Sequence, residues 1–263
     1  MRIVVPVKAV PDLVEEIELT PDGSGIEREY LKFVLNEWDA QALEEALLIK
    51  DAGGAEVVAV GLADDPEIDQ ILYTALAKGA NAAVKLVGTN AGGPPGRAGT
   101  PLGVRASLMA AYLQAEPADL VISGVQATDD PDGQLVPLLA ALLDLPHVSV
   151  VVSVEAGDGA VLVRQEFSGG RSHELAMQMP AVIGVQSARQ APRYAPVSRV
   201  KQATQAGGLT ELAVSPPGLG PGLALRRLCR PEASSHAEML SGSPGDVADR
   251  ILGLLRSRGL VKG

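Results

Sequence analysis

Asp119-Leu-Val-Ile-Ser-Gly124 runs directly into Val125-Gln-Ala-Thr-Asp-Asp-Pro-Asp-Gly-Gln134. The first six residues form an aliphatic run of the kind buried on both faces of a parallel sheet. Gly124 permits a close backbone turn at the strand's end, and a helix is expected from about Gly133 to Leu143. Gln126, Thr128 and Gln134 supply uncharged donors, and the start of that helix presents free backbone N–H groups that suit a phosphate. Loop Gly124–Leu135 is therefore a candidate nucleotide site. Asp129, Asp130 and Asp132 would repel a phosphate; helix-start stabilisation and turn hydrogen bonds are their natural roles. An Asp-rich turn that only caps a helix accounts for the same residues.

Working outward, Arg2–Val7, Glu56–Gly61 and Ala83–Val87 are further short runs rich in Val, Ala and Leu. Helical patterns separate them. Asn36 can cap a helix to about Ala52, with Asp39 near the capping-box position. Pro66 opens a second helix that closes at Gly79, with Ile68, Ile71, Leu72 and Ala75 at helical spacing. A third runs from Pro101 to about Ala115. This alternation predicts an α/β fold, a mostly parallel sheet flanked by helices, with right-handed crossovers. Ligands in such sheets sit outside the carboxyl ends of the strands at a topological switch point. The loops after Val7, Gly61 and Gly124 are the ones to examine.

Segment Pro11–Leu35 is too long for a simple strand–helix loop; Ile17–Leu19 and Arg28–Tyr30 around Pro21-Asp22-Gly23 read as a hairpin excursion. Gly88–Thr100 carries five glycines and two prolines in 13 residues and reads as a flexible insertion. After Leu145, Val148–Val154, Ala160–Phe167, Glu174–Met177 and Ala181–Val185 are strand-like, as hairpins added to the parallel core. Gln186–Pro244 is rich in Gly, Pro, Ser and Ala with little periodic signal, and reads as an extended arm that packs on another subunit. Ser243 and Pro244 start a last helix that ends before Gly259. The expected division is a nucleotide-binding core at 1–185 and a region of partner-binding loop, arm and helix at 186–263.

Composition excludes several classes. Lys plus Arg is 22 against Asp plus Glu 32, a formal charge of −10, which argues against a phosphate-tracking nucleic-acid surface. No apolar run reaches the roughly 18–20 residues of a membrane span. Cys229, the single cysteine, reads as a buried or bystander thiol in a reducing compartment. With a strand expected at Arg2–Val7, these features predict a cytoplasmic chain. No Gly-x4-Gly-Lys-Ser/Thr loop is present, and no Gly-x-Gly-x-x-Gly follows a strand into a helix. His147, His173 and His236 lack metal-ligand spacing. No residue presents itself as a catalytic acid, base or nucleophile.

Together the segments resemble the β subunit of electron-transfer flavoproteins. The likeness lies in Val5-Pro-Val-Lys-Ala-Val-Pro-Asp12, Thr20-Pro-Asp-Gly-Ser-Gly25, Lys32-Phe-Val-Leu-Asn-Glu-Trp-Asp39 and Ala42-Leu-Glu-Glu-Ala46. It continues through Thr74-Ala-Leu-Ala-Lys-Gly-Ala80, Asp119–Gln134, Pro180-Ala-Val182 and Pro192-Arg-Tyr194, and covers about Met1–Lys201. The resemblance implies a heterodimer whose α subunit holds most of a redox-active FAD, while the β subunit buries a structural AMP and braces the flavin. Electrons would pass from flavin-dependent or dedicated dehydrogenases to a downstream redox acceptor, and the chain itself would not be an enzyme. It also implies an AMP pocket of Pro6, Asn36, Glu37, Trp38, Asp39, Leu62 beside Gly61, and the loop Gly124, Gln126, Ala127, Thr128, Asp129, Asp130, Gly133, Gln134 and Leu135. Leu13 and Trp38 would approach the FAD ring. Arg193, Tyr194, Pro196 and Val197 would belong to a loop that recognises dehydrogenases, with Val197 in the anchoring position.

The sequence departs from that pattern at Pro6, where alanine is common, and at Val125, where lysine is common. Pro131-Asp-Gly133 replaces a polar stretch that often supplies an Asn or Thr to the phosphate. Losing a cation and an amide weakens phosphate binding unless α-subunit groups substitute. Three alternatives remain. One is a flavin-bifurcating homologue with a second FAD in place of AMP. Another is a free-standing stress-protein-like nucleotide binder, although its Gly-x2-Gly-x9-Gly-Ser/Thr loop is absent. The third is a nucleotide-dependent ligase or hydrolase, for which only Asp129, Asp130 and Asp132 offer carboxylates.

Overall fold

Runs of Val, Ile and Leu buried on both sides place Arg2–Pro6 (β1), Glu56–Leu62 (β4), Leu120–Gly124 (β6) and Ala181–Val185 (β10) inside a sheet. The computed structural model describes residues 1–65, 67–88, 100–157, 159–215, 226–231 and 237–261. Their remaining strands are Ala9–Pro11 (β2), Phe33–Leu35 (β3), Ala82–Gly88 (β5), His147–Ala156 (β7), Ala160–Phe167 (β8), Arg171–Gln178 (β9) and Leu209–Val214 (β11). The helices are Glu37–Gly53 (α1), Ile68–Lys78 (α2), Leu102–Ala115 (α3), Leu135–Leu143 (α4), Val197–Ala206 (α5) and Pro244–Ser257 (α6). Pro66, residues 89–99 of the expected insertion, and His236 lie outside the described residues.

The nine-stranded sheet has the order β11-β5-β4-β1-β6-β10-β7-β8-β9. Pairing is parallel from β11 to β7, and β7, β8 and β9 form an antiparallel meander. Alternate side chains of β1 divide between two cores: Ile3 and Val5 join α1 and α2 on one face, and Val4 joins α3 and α4 on the other. From β1 the chain steps outward to β4 and β5, then returns to place β6 on the other side of β1. The switch point is the gap between the carboxyl ends of β1 and β6.

Three sequence expectations are refined. The expected hairpins are realised in β7–β9, but β10 leaves the meander and inserts between β6 and β7 in parallel; its five residues are all buried, as a central strand requires. The hairpin excursion is present as β2 paired with β3, and Leu19 bridges Ile26 across the Thr20–Gly25 turn. Part of the weakly patterned Gln186–Pro244 is regular: α5 packs beside α2, and β11 extends the sheet at β5. Only Val200 of α5 and Val214 of β11 are buried, so neither carries a strong apolar period. Lys85 ties this edge down by pairing with Glu211 and Asp69.

The described residues fall into two units, Met1–Leu228 and Cys229–Gly263. The second contains α6, begun as expected: the Ser243 hydroxyl accepts from the Asp246 amide, and the Asp246 carboxylate accepts from the Ser243 amide. None of its residues is buried, and Cys229 is exposed.

Helix α1 also organises the segment that follows β10. Glu45, fully buried, accepts from the Arg189 backbone N–H at 2.6 Å and from its guanidinium at 3.1 Å. Glu44, one residue earlier, accepts from the Arg193 backbone N–H at 2.9 Å and pairs with its guanidinium, which also reaches Asp51. Two carboxylates thus replace the backbone partners that this irregular segment lacks. Glu45→Ala strands the Arg189 N–H and should cost about 1–3 kcal/mol, measured as a lowered urea midpoint with an unchanged m-value.

Candidate functional site

The carboxyl ends of β1 and β6 meet the start of α1 at the switch point. Asn36 occupies the position before α1, but its side chain caps nothing. Instead its Nδ2 donates to the Gln126 carbonyl at 2.9 Å, joining α1 to the loop after β6. Asp39 is likewise no capping-box partner; its Oδ2 accepts from the Lys8 backbone N–H at 3.0 Å. Gly124 is required by this approach: a Cβ there would lie 2.7 Å from the Trp38 carbonyl carbon and overlap Asp39 Oδ1. Gly133 turns the loop at φ +61°, where a Cβ would strike the Val125 carbonyl oxygen.

Between these elements lies a small cavity of about 30 Å³, lined by Pro6, Val7, Lys8, Asn36, Asp39, Arg105, Met109, Ser123, Val125, Ala127, Asp130 and Leu135, with the glycines and Gln126. By itself it is far smaller than small-molecule sites, which run ~300–1,000 Å³. A wider cleft of about 410 Å³, within that range, shares Lys8, Arg105 and Asp130 with it and is lined further out by Leu13, Ile26, Phe33, Asp65, Thr128 and Asp129.

The electrostatics are close to balanced. Lys8 Nζ pairs with Asp129 at 2.6 Å, and the Arg105 guanidinium forms a fork with Asp65. Burial pushes the Asp39 carboxyl up to about 7, against hydrogen bonds from Asn36 and Lys8 that favour its anion. Burial raises Asp130 too, opposed by Lys8. Asn36 Oδ1 is buried without a hydrogen-bond partner. An orphaned acceptor beside a glycine-lined hollow fits a ligand with N–H or O–H groups, such as the base or ribose of a nucleotide. Proline at position 137 removes one N–H from the first turn of α4, so fewer helix-start donors are available than the turn's position suggests.

Comparison with known proteins identifies the family. Residues 24–217 match the electron transfer flavoprotein domain. The chain belongs to the electron-transfer flavoprotein β-subunit family. It is 30% identical to the electron transfer flavoprotein subunit beta of Methylophilus methylotrophus, over 97% of this chain and 98% of that one. It is 36% identical to the mitochondrial subunit beta of Oryza sativa subsp. indica, over 77% and 78%. It is 28% identical to the caffeyl-CoA reductase-Etf complex subunit CarD of Acetobacterium woodii, over 99% and 100%. No helix among the described residues is long and apolar enough to cross a membrane.

For this family member the structure gathers Pro6, Asn36, Asp39, Gly124, Gln126, Ala127, Asp130, Gly133 and Leu135 around the smaller cavity. Leu13, Thr128 and Asp129 line the wider cleft. Glu37 and Gln134 are exposed outside both, Leu62 is core, and half-buried Trp38 meets the site through its backbone. Arg193 is engaged with Glu44 and Asp51, whereas Tyr194 and Val197 are 80% and 64% exposed and Pro196 is half-buried. Sequence reasoning missed Lys8, Arg105, Met109 and Ser123. Arg105 had a signal: it is the one charge in the Leu102–Ala115 helix, otherwise apolar or small on nearly every side.

Gly124→Ala forces α1 and β6 apart and should destabilise the fold by about 1–3 kcal/mol, checked by thermal unfolding. Asp39 supplies a pH-dependent term. Its folded value lies above the unfolded one near 3.8, so the folded state holds the extra proton. Stability from this group is full below pH 4, falls as pH rises toward 7, and then levels off. Asp39→Asn should flatten that fall, making the variant relatively more stable at pH 8 than at pH 5 by on the order of a few kcal/mol, read from denaturation midpoints at both pH values.

Proposed function

We propose that this chain is the β subunit of a heterodimeric electron-transfer flavoprotein. It holds AMP as a structural ligand and braces an FAD carried mainly by the α subunit. The observation that carries the nucleotide assignment is the orphaned Asn36 Oδ1 in a glycine-lined cavity at the sheet's switch point. Asn36, Asp39 and the Gly124–Leu135 loop would hold the nucleotide, filling the hollow between α1, β1 and β6. Exposed Leu13, on the wider cleft, is suited to cover one side of a flavin, while half-buried Trp38 stiffens the floor. The flavin, when bound, supplies the one- and two-electron chemistry; this chain's residues orient it and exclude water. Tyr194, Pro196 and Val197 form the surface for dehydrogenases, and electrons leave to a downstream acceptor. On this reading the chain is a cytoplasmic electron-carrier subunit and not itself an enzyme.

One observation favours a second reading. The smaller cavity shares Lys8, Arg105 and Asp130 with a much larger cleft that has an apolar wall. That shape also suits a dinucleotide, as in a flavin-bifurcating homologue with a second FAD. Co-expression with the α subunit should give a yellow heterodimer. Denaturing it and identifying the released nucleotides separates the readings: one FAD and one AMP per heterodimer is expected, and two FAD would establish the second. A colourless, stable monomer that ignores the α subunit would sink both.

A further inference from the structure

We propose that Arg105, positioned by Asp65, is the group in this chain that binds the phosphate ester of the nucleotide; this rests on the nucleotide reading above. Arg105 lies near the start of α3, yet it lines both the smaller cavity and the wider cleft, at the wall they share. It is only 5% exposed, and its partner Asp65 only 7%. Both terminal nitrogens point to that one carboxylate, Nη1 to Oδ2 at 3.0 Å and Nη2 to Oδ1. A guanidinium carries five N–H donors in a fixed plane. The fork uses two of them, and no acceptor for Nε is present among the described residues. No Arg105 nitrogen is among the buried side-chain atoms without a partner, so the edge that the fork leaves unused is reachable from the cavities it lines.

The other charges support the same assignment. Lys8 also lines both cavities, but one of its three donors is spent on Asp129 at 2.6 Å and the charge is a point rather than a planar fork. Val125, on the loop itself, offers no charge. Arg105 keeps three unused donors in a fixed plane, the geometry that matches a phosphate. In the lining of the same cavity, Asn36 Oδ1 is an acceptor in need of a donor. A ligand with N–H or O–H groups at one end and an anionic oxygen at the other meets both needs, and an adenine nucleotide is such a molecule. Asp65 fixes the plane of the guanidinium and, by neutralising part of its charge, makes the pair tolerable in the apolar wall before ligand arrives. The phosphate would add to the open Nε edge without displacing Asp65.

Titration calorimetry of the full chain with adenosine, AMP and FAD tests this. The wild-type protein should bind AMP more tightly than adenosine by roughly 10- to 100-fold, the range of a charge-assisted contact. Asp65→Asn with Arg105→Gln removes both charges and leaves a neutral amide pair, so that no buried ion is stranded. It should bring the AMP-to-adenosine ratio close to one while adenosine affinity, a control for the fold, stays unchanged. Asp65→Asn alone leaves the cation uncompensated and should raise the ratio. If FAD affinity falls in the double variant along with that of AMP, the anchor serves a diphosphate as well. A double variant that keeps the wild-type ratio overturns the proposal, as does wild-type protein that binds adenosine and AMP equally while still binding both. Wild-type protein that binds none of the three overturns the nucleotide reading itself, and the anchor with it.

Discussion

The contact between Gly124 and the first turn of α1 sets the spacing on which the rest of the site depends. With no side chain at Gly124, the end of β6 comes to rest against the Trp38–Asp39 peptide. That closeness lets Asn36 reach the Gln126 carbonyl and Asp39 reach the Lys8 amide, so three segments are joined by side chains of one helix start. Each of these groups leaves the job that local sequence suggests, which is capping α1. The helix gives up cap bonds and the switch point gains cross-braces.

The same arrangement explains why the fold was more legible than the site. Buried strands announce themselves through uninterrupted Val, Ile and Leu, and the turn after Gly124 through its Asp-Pro-Asp-Gly composition. Positions of β1, β4, β5 and β6 followed within a residue or so. The insertion of β10 between β6 and β7 did not, because strand order is a property of long-range pairing that no local period encodes. Nor did α5 and β11, which bury one residue each and rely on Lys85 and the sheet edge for their placement. Asn36 and Asp39 could be assigned to the right neighbourhood but not to the right partners, since an N-cap and a cross-brace use the same side chains.

Charge at the site is arranged in pairs rather than as a field. Lys8 with Asp129 and Arg105 with Asp65 leave Asp39 and Asp130 as the carboxylates without a full counter-charge, and both are pushed toward their neutral forms by burial. A protein of net charge −10 thereby keeps its central hollow from becoming strongly negative. The sequence hid this balance because Arg105 and Asp65 lie 40 residues apart on different elements.

Helix α1 has one further consequence. Its start shapes the central cavity, while its middle, through Glu44 and Glu45, grips Arg193 and Arg189 of the segment after β10. The grip ends just before Tyr194 and Val197, which stand free in solvent. The exposed residues therefore behave like a replaceable bit in a fixed chuck. Substitution of the tip costs little beyond the surface, because the shank is held by the helix that serves the core.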